Sequence, residues 1–392
     1  MIKKLKVKNF KALRDIEIEL TPIHVLIGPN DSGKTNILEV LAALCRSVDH
    51  KLAQAFLGSW KGAELVWSGN PQLPVTLEAI FNDPMVKTYN FSVSFGLLKE
   101  NKQVDILNEF LDDGTSKKDI KYQPMNNITS INYSPYISGD LGIKCEHIKK
   151  QLSGVHYYRF IPSFLSLPVA PDSKRQFRME TNGFGLALLL DEILSFDRER
   201  FDKLENRFRK IFPDIKSIKL QQEESYKAHV DNPDQVTMLN KADGKGIYFQ
   251  LKDSGQLIPA SQVSDGTLLV LAYLSILYLP EPPRLLLIEE PENGIHPKRL
   301  RDILEILRKL GNEQSHTQVV LTTHSPYVLD LFKPEEVTLC TKQKNGEIKT
   351  TRLSDSPAVK KQLDVFTLGE IWTSEGDEKI AGSKAQKERA RE

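Results

Sequence analysis

The chain has 392 residues, of which 40% are apolar, so it can bury a large core in one large domain or two modest ones. Its 53 basic and 52 acidic residues give a formal charge of +1, so a contact with nucleic acid would have to be a local patch. Three isolated cysteines, no apolar run of about 18 residues and no signal-peptide pattern predict a cytoplasmic protein without disulfides or a membrane span.

The chain opens with two segments in which apolar and charged residues alternate. Apolar residues at positions 5 and 7, and then at 16, 18 and 20, predict a hairpin of two half-buried strands. The lysines at 3, 4, 6, 8 and 11, and the basic stretch 174–178, could contact a phosphate backbone. Solvated charge is the favoured interpretation, because lysines on edge strands also prevent aggregation.

A phosphate-binding loop follows the third predicted strand. Residues 24–27 are nearly all apolar, which predicts a central strand, and a helical pattern begins near Asn36. The loop between them has the G-x-x-x-x-G-K-[ST] spacing, in which backbone N–H groups bind phosphate. The pattern predicts that Lys34 contacts the β- and γ-phosphates of ATP and that the Thr35 hydroxyl binds Mg²⁺. The predicted nucleotide-binding residues are Gly28, Pro29, Asn30, Asp31, Ser32, Gly33, Lys34, Thr35 and Asn36.

The middle of the chain predicts a β-rich subdomain. Residues 75–81 and 89–95 alternate as strands, whereas residues 84–154 as a whole are polar and rich in turns, which predicts irregular loops after the strands. No heptad repeat is sustained there, so no long coiled-coil arm is expected. The elements predicted next are a strand at 157–161 and helices at 184–194 and 197–211.

The second half predicts buried strands that alternate with helices. Residues 268–279 are apolar almost all round, which predicts a buried helix, and residues 284–290 form an apolar strand that ends in Glu289 and Glu290. The other predicted elements are strands at 217–220, 246–251 and 317–321 and a helix at 298–310. This alternation predicts a mostly parallel sheet that binds ligands at the carboxyl ends of its strands.

Four motifs in this order resemble a known group of ATPases. They are the phosphate loop, Val263-Ser-Asp-Gly-Thr267, the stretch 285–297 and Thr322-Thr-His-Ser-Pro326. Together they resemble the ABC-type ATPase heads of the RecF, structural-maintenance-of-chromosomes and overcoming-lysogenization-defect group, and most of all its compact AAA_21-type members. Residues 182–190, 212–215 and 368–373 share that resemblance. It implies an α/β fold, an ABC-type P-loop ATPase head with a mixed, mostly parallel sheet, an antiparallel β subdomain and a helical signature subdomain.

The resemblance also implies roles for individual residues. Glu290 matches the catalytic glutamate that polarises the attacking water, and His324 matches the switch histidine that contacts the γ-phosphate. Glu289 matches the metal position and would bind Mg²⁺ together with Thr35. Phosphoryl transfer needs these parts, namely a cation at the phosphates, a base for the water and donors for the developing charge. The structural alternatives are solvated glutamates at a strand end and an ordinary loop histidine.

The signature motif is assigned to Ser264, Asp265 and Gly266, which in relatives bind the γ-phosphate held by the opposite subunit. Asp265 stands where the commoner signature has glycine, as is usual in the compact family. Asp31 likewise stands where glycine is frequent in the phosphate loop, and aspartate tolerates a left-handed backbone better than most residues. His296 is interpreted as a turn residue rather than as a catalyst.

The motif positions divide the chain into four predicted segments. These are 1–83, an N-terminal lobe with the phosphate loop; 84–261, a β-rich and helical insertion; 262–373, a C-terminal lobe with the signature, Walker B, D-loop and H-loop; and 374–392, a charged, disordered tail. Asn82 and Asp83, at the end of the first segment, are the nearest candidates for the glutamine loop.

The predicted function is a Mg²⁺-dependent ATPase whose ATP-driven dimerisation or closure regulates a process on DNA or on a partner protein. DNA repair and anti-phage defence with a nuclease or effector supplied in trans are the expected settings, and no membrane is involved. One alternative is a RecF-like DNA-binding ATPase without an effector. An ATPase with its own nuclease ranks low, because only 68 residues follow His324. A transporter ATPase is disfavoured by the N-terminal hairpin and by residues 289–297.

Overall fold

The structure, a computed structural model, describes residues 1–56, 65–70, 72–82, 88–97, 104–113, 117–120, 127–171, 178–229, 234–239, 241, 243–311 and 317–382. Its strands are β1 Ile2–Phe10, β2 Leu13–Glu19, β3 Ile23–Ile27, β4 Val75–Asn82, β5 Thr88–Leu97, β6 Val104–Asp112, β7 Lys117–Asp119, β8 Val155–Tyr158, β9 Ile215–Glu223, β10 Tyr226–Ala228, β11 Val236–Met238, β12 Gly244–Leu251, β13 Leu257–Pro259, β14 Leu285–Glu289, β15 Gln318–Thr322, β16 Val337–Lys342 and β17 Ile348–Arg352. Its helices are α1 Lys34–Ser47, α2 Leu52–Ala55, α3 Gly139–Leu152, α4 Pro162–Leu165, α5 Leu186–Phe196, α6 Arg198–Ile211, α7 Asp265–Leu277, α8 Pro297–Leu310, α9 Pro326–Leu329, α10 Pro357–Gln362 and α11 Leu368–Ile380. Each described helix falls short of the length and apolar character that a membrane span requires.

The first sheet is antiparallel and contains the predicted N-terminal hairpin. Its strand order is β2-β1-β4-β5-β6-β7, and neighbouring strands pair antiparallel throughout the described residues. Within the hairpin, Leu5 lies opposite Ile18 and Val7 opposite Ile16. All four side chains are buried, because a strand that alternates apolar and charged residues buries one face. The antiparallel β subdomain and the half-buried hairpin are therefore confirmed.

Lysines in the first strand and directly after it contact neighbouring acids. Each of these ion pairs has at least one side chain that is well exposed to solvent or half-buried, so it neutralises charge without adding much stability. The pairs include Lys4 with Glu17 at 2.5 Å, Lys6 with Glu78 at 3.1 Å and Lys11 with Glu39 at 2.6 Å. These contacts favour the interpretation of the lysines as paired surface charge.

The second sheet places β3 in its interior. Its strand order is β17-β16-β3-β15-β14-β8. β3 pairs in parallel with β15 on one side and with β16 on the other, whereas β16 and β17 are antiparallel. All five residues of β3, of β14 and of β15 are buried, which explains why these strands read as continuous apolar runs. The predicted mixed sheet with a central third strand is confirmed.

Packing divides the chain into two units. The first comprises Met1–His156, Pro283–Leu287 and His316–Glu392, and the second comprises Tyr157–Pro282 and Ile288–Ser315. The second unit contains the small sheet β13-β12-β9, the pair β10-β11 and the helices α4 to α8. Within it, α7 is buried along nearly its whole length, as its apolar sequence predicts. The first three motif-based segments follow other boundaries and stay predictions.

Two expectations about loops and termini are wrong. Residues 139–152 form the helix α3 rather than irregular loops. Its buried residues are Gly142, Cys145, Ile148 and Leu152, and the glycine and cysteine weaken the apolar period that predicts a helix. The predicted disordered tail begins too early, because α11 runs to Ile380, whose side chain is buried. Asp83, residues 174–177 and residues 383–392 lie outside the described residues.

A buried histidine in β3 makes the fold sensitive to acid. His24 is fully buried, with its Nδ1 3.1 Å from Thr21 Oγ1 and its Nε2 3.0 Å from Thr338 Oγ1. Burial, and then the charge of Arg352, lower the pKa of His24 to about 3. Because the folded-state pKa is depressed below the ordinary value, the unfolded chain binds the proton more readily. The stability from the neutral ring is present above about pH 6.5 and is lost as the pH falls toward 3.

We expect the free energy of unfolding to fall by ~1.4 kcal/mol between pH 7.5 and pH 5.5 through His24 alone. His24→Asn should lose this component of the pH dependence, whereas His50→Asn, at an exposed histidine, should keep it. Urea titration at both pH values measures the difference. The same pH dependence in His24→Asn and in the parent would show that another group is responsible.

Candidate functional site

The phosphate loop joins β3 to α1 through a backbone that needs unusual dihedral angles. Gly28 has φ 136° and Gly33 has φ 83°. A Cβ atom on Gly28 would lie 2.1 Å from the carbonyl oxygen of Cys340, so no larger residue fits there. Asp31 has φ 61°, which places it in the left-handed region that aspartate tolerates. The loop geometry thus accounts for the two glycines and for the departure at Asp31.

Lys34 lies over this loop with its ammonium group on backbone carbonyls. Its Nζ donates to Gly28 O and to Pro29 O, each at 2.8 Å, and contacts Ser32 Oγ at 3.3 Å. The residue is only 6% exposed. A buried ammonium beside the loop is positioned to exchange carbonyl oxygens for phosphate oxygens, which are stronger acceptors for a cation.

The start of α1 is prepared for an anion. The helix begins at Lys34 after the left-handed residue Gly33, and its first turn contains no acidic residue. The unpaired N–H groups and the dipole of such a helix end attract phosphate. Thr35 is exposed in this turn and Asn36 is half-buried, so the Thr35 hydroxyl is accessible.

The loop that contains His324 leaves the sheet beside the phosphate loop. Thr322 at the end of β15 lies opposite Leu26 of β3, and the N–H of Thr323 donates to Leu26 O at 3.1 Å. Thr323 Oγ1 accepts from the N–H of Ser325 at 3.0 Å, which shapes the turn around the half-buried His324. The first unit therefore brings the phosphate loop and the histidine loop to adjacent strand ends.

Glu289 ends β14 as a buried carboxylate. It is 7% exposed, its Oε1 accepts a hydrogen bond from the Tyr157 hydroxyl, and its Oε2 lies 3.5 Å from Arg159 Nε. Tyr157 and Arg159 are absent from the predicted site. Tyr157 lies 132 residues from Glu289 in the chain, and no sequence signal links them.

Glu290 has a different environment from its neighbour. Its backbone φ is 45°, a value that residues other than glycine rarely adopt. Such strained backbone conformations are often retained at functional sites. Its Oε2 accepts from Asn293 Nδ2 at 2.5 Å, and its carbonyl accepts from the N–H of Asn293 at 3.0 Å. The strained turn points the two consecutive carboxylates into separate surroundings.

The signature residues lie at the start of α7. Ser264 is its N-cap, with Oγ accepting from the N–H of Thr267 at 3.4 Å and lying 2.8 Å from Thr267 Oγ1. Ser264 and Asp265 are exposed and Gly266 is half-buried. Helix capping alone would justify a serine at this position. His296 caps α8 in the same manner, with Nδ1 accepting from the N–H of Lys298 at 3.3 Å, which agrees with its interpretation as a turn residue.

The predicted site residues are divided between the two units. The phosphate loop and His324 belong to the first, whereas the two glutamates and the signature belong to the second. Among the described residues, no group of three or more His, Cys, Asp or Glu side chains could hold a metal. Mg²⁺ bound with a nucleotide commonly takes one or two protein oxygens plus phosphates. The accessible Thr35 hydroxyl is an oxygen of this kind in the first unit, and the Glu289 carboxylate is one in the second unit.

The chain is similar to several known proteins. The family described as "AAA domain, putative AbiEii toxin, Type IV TA system" matches residues 23–330. An ATP/GTP phosphatase of Helicobacter pylori is 21% identical over 85% of this chain and 87% of its own length. An OLD nuclease of Thermus scotoductus is 22% identical over 98% of this chain and 71% of its own length. The DNA replication and repair protein RecF of Lactococcus lactis is 26% identical over 28% of this chain and 30% of its own length.

A solved structure supports the fold. The Smc head bound to the C-winged helix domain of ScpA superposes with a TM-score of 0.52 at 14% sequence identity. The match covers 90% of this chain and 98% of that chain. At this identity the likeness concerns the fold, which is the predicted ATPase head.

Proposed function

This chain belongs to the AAA_21 family and is an ATP hydrolase, and from that premise we propose that its ATP binding drives the dimerisation or closure of two copies. The change of state would act on DNA or on a partner protein. The observation that carries the ATP-binding part of the proposal is the buried ammonium of Lys34, held on Gly28 O and Pro29 O within the phosphate loop. It supplies a positive charge where the loop N–H groups and the start of α1 already favour phosphate.

We assign the chemical step to groups that can each act on a different part of the reaction. Lys34 would neutralise charge on the β- and γ-phosphates, and Glu290 would accept the proton of the attacking water. His324 would donate to the γ-phosphate as charge develops there. Mg²⁺, held by Thr35 and Glu289, would neutralise the phosphate oxygens when bound.

The signature residues are proposed to act in trans. Ser264 is exposed at a helix start, so its hydroxyl and the first N–H groups of α7 can meet the γ-phosphate of another copy. A nucleotide that contacts both copies stabilises their association by mass action, and loss of the γ-phosphate removes that preference.

DNA repair and anti-phage defence are the proposed settings. Similarity to proteins named OLD nuclease and RecF favours a process directed at DNA. The ion-paired lysines of β1 argue against direct DNA contact at that surface, and the effector or nuclease is proposed to be a separate protein encoded nearby. A RecF-like ATPase that binds DNA by itself is the second candidate, favoured by the match to RecF over 115 residues.

Association is the measurable consequence. Glu290→Gln should bind ATP without hydrolysing it, so we expect sedimentation of this variant to shift with ATP from 44.5 kDa toward twice that mass, and not with ADP. A standing dimer that closes with ATP would instead sediment faster at constant mass.

Adding Ser264→Arg to this variant should abolish the ATP effect, because the arginine fills the space of the γ-phosphate. Adding Ser254→Arg, at an exposed serine elsewhere in the same unit, should leave it intact. Identical sedimentation in ATP and ADP would rule out ATP-driven association and closure.

A further inference from the structure

The carboxylate of Glu289 is satisfied by two partners of different character. The Tyr157 hydroxyl donates to Oε1, and the guanidinium of Arg159 lies 3.5 Å from Oε2 through its Nε. All three residues belong to the second unit. A buried carboxylate requires such partners because it has lost most of its hydration. Both oxygens of the proposed metal ligand therefore have a side-chain partner.

The backbone that presents these partners is anchored in the core. Tyr158 and Phe160 stack with ring centroids 4.8 Å apart, and Phe160 lies 5.1 Å from the ring of Tyr273. The N–H of Arg159 donates to Thr181 O at 2.7 Å. In an extended chain, successive side chains point to opposite faces. Because Tyr158 and Phe160 pack into the core, the alternate side chains of Tyr157 and Arg159 both point to the other face, where they meet Glu289.

Arg159 differs from Tyr157 in charge and in freedom to move. Its side chain is 64% exposed, whereas that of Glu289 is 6% exposed. A guanidinium beside Oε2 occupies that oxygen and repels a divalent cation, yet an exposed arginine can turn toward solvent at small cost. The tyrosine hydroxyl carries no charge, so its hydrogen bond to Oε1 is compatible with a metal at Oε2.

We propose that Arg159 forms an ion pair with Glu289 when no metal is bound, and that it competes with Mg²⁺ for Oε2. The inference rests on the proposed role of Glu289 as a metal ligand. Without nucleotide, Arg159 neutralises the buried carboxylate and stabilises the empty site. Loading of the site then requires the guanidinium to move away from Oε2, so the position of Arg159 reports whether metal is present.

The test measures AMP-PNP binding by isothermal titration calorimetry at a series of Mg²⁺ concentrations, for the parent and for Arg159→Gln. Arg198→Gln is the matched control, because Arg198 is an exposed arginine at the start of α6 in the same unit. The Arg159→Gln change removes an ion pair whose arginine is exposed to solvent. It should lower the Mg²⁺ concentration for half-maximal AMP-PNP binding by about two- to fivefold. The control should match the parent, and the affinity for AMP-PNP at saturating Mg²⁺ should be unchanged in both variants.

Two results would overturn the inference alone. One is a half-maximal Mg²⁺ concentration that is unchanged or higher in Arg159→Gln. The other is weaker AMP-PNP binding at saturating Mg²⁺, which would identify Arg159 as a phosphate ligand. If the parent itself bound AMP-PNP without dependence on Mg²⁺, the proposed metal role of Glu289 would fail, and the inference with it.

Discussion

Lys34→Ala is expected to abolish ATP turnover and to weaken ATP binding by roughly 10³-fold. The ammonium would otherwise make about two charge-assisted contacts with phosphate, each contributing ~2 kcal/mol. Isothermal titration with ATP and a phosphate-release assay measure the two effects. The prediction follows from the geometry, because Nζ already lies on the carbonyls of Gly28 and Pro29 inside the loop.

Lys8→Ala is the matched control for this loss. The Lys8 side chain is 58% exposed in the same unit, so its removal should leave binding and turnover unchanged. Circular dichroism without nucleotide should give the same spectrum for the parent and both variants. Turnover of Lys34→Ala at the parental rate would show that the phosphate loop is wrongly assigned.

Glu290→Gln is expected to lower turnover by ~10² or more while ATP binding is retained. Glutamine keeps the size of the side chain and an oxygen acceptor for Asn293 Nδ2, but it cannot take the proton of the attacking water. Single-turnover hydrolysis and equilibrium ATP binding separate the two effects.

Glu289→Gln provides the comparison within the same pair. This change removes the charge of the buried carboxylate, so we expect it to raise the Mg²⁺ concentration needed for ATP binding rather than to act on the chemical step alone. Equal and mild effects of both changes on rate and on Mg²⁺ dependence would contradict the assigned division of roles.

The parts of the fold that short sequence segments encode were predictable. The strand, loop and helix from Ile23 to Ser47 follow from contiguous residues whose turn chemistry and apolar period agree. The left-handed backbone at Asp31 agrees with the tolerance of aspartate for that conformation at a position where glycine is frequent. The helix α3 was not, because Gly142 and Cys145 stand at buried positions where the apolar signal is weak.

Contacts between distant segments could not be predicted from one sequence. The two partners of Glu289 come from the end of β8 and the residue after it, with Tyr157 lying 132 residues before Glu289, and their residue types carry no motif. The backbone of Cys340 that closes against Gly28 comes from more than 300 residues later in the chain. The catalytic, metal and signature roles of the site residues stay predictions, because geometry within each unit limits what a group can do but does not identify its substrate.

The most direct test of the central claim, that two copies share each ATP site, is complementation between two inactive variants. Lys34→Ala and Ser264→Arg should each be inactive alone. In a heterodimer, the Ser264→Arg copy supplies Lys34 and the Lys34→Ala copy supplies Ser264, so one of the two sites is intact. Random pairing in an equal mixture makes about half of the dimers heterodimers, so the mixture should recover about a quarter of parental hydrolysis. Recovery at that level would support a site built from both copies. No recovered hydrolysis in a mixture shown to form heterodimers would contradict two independent shared sites.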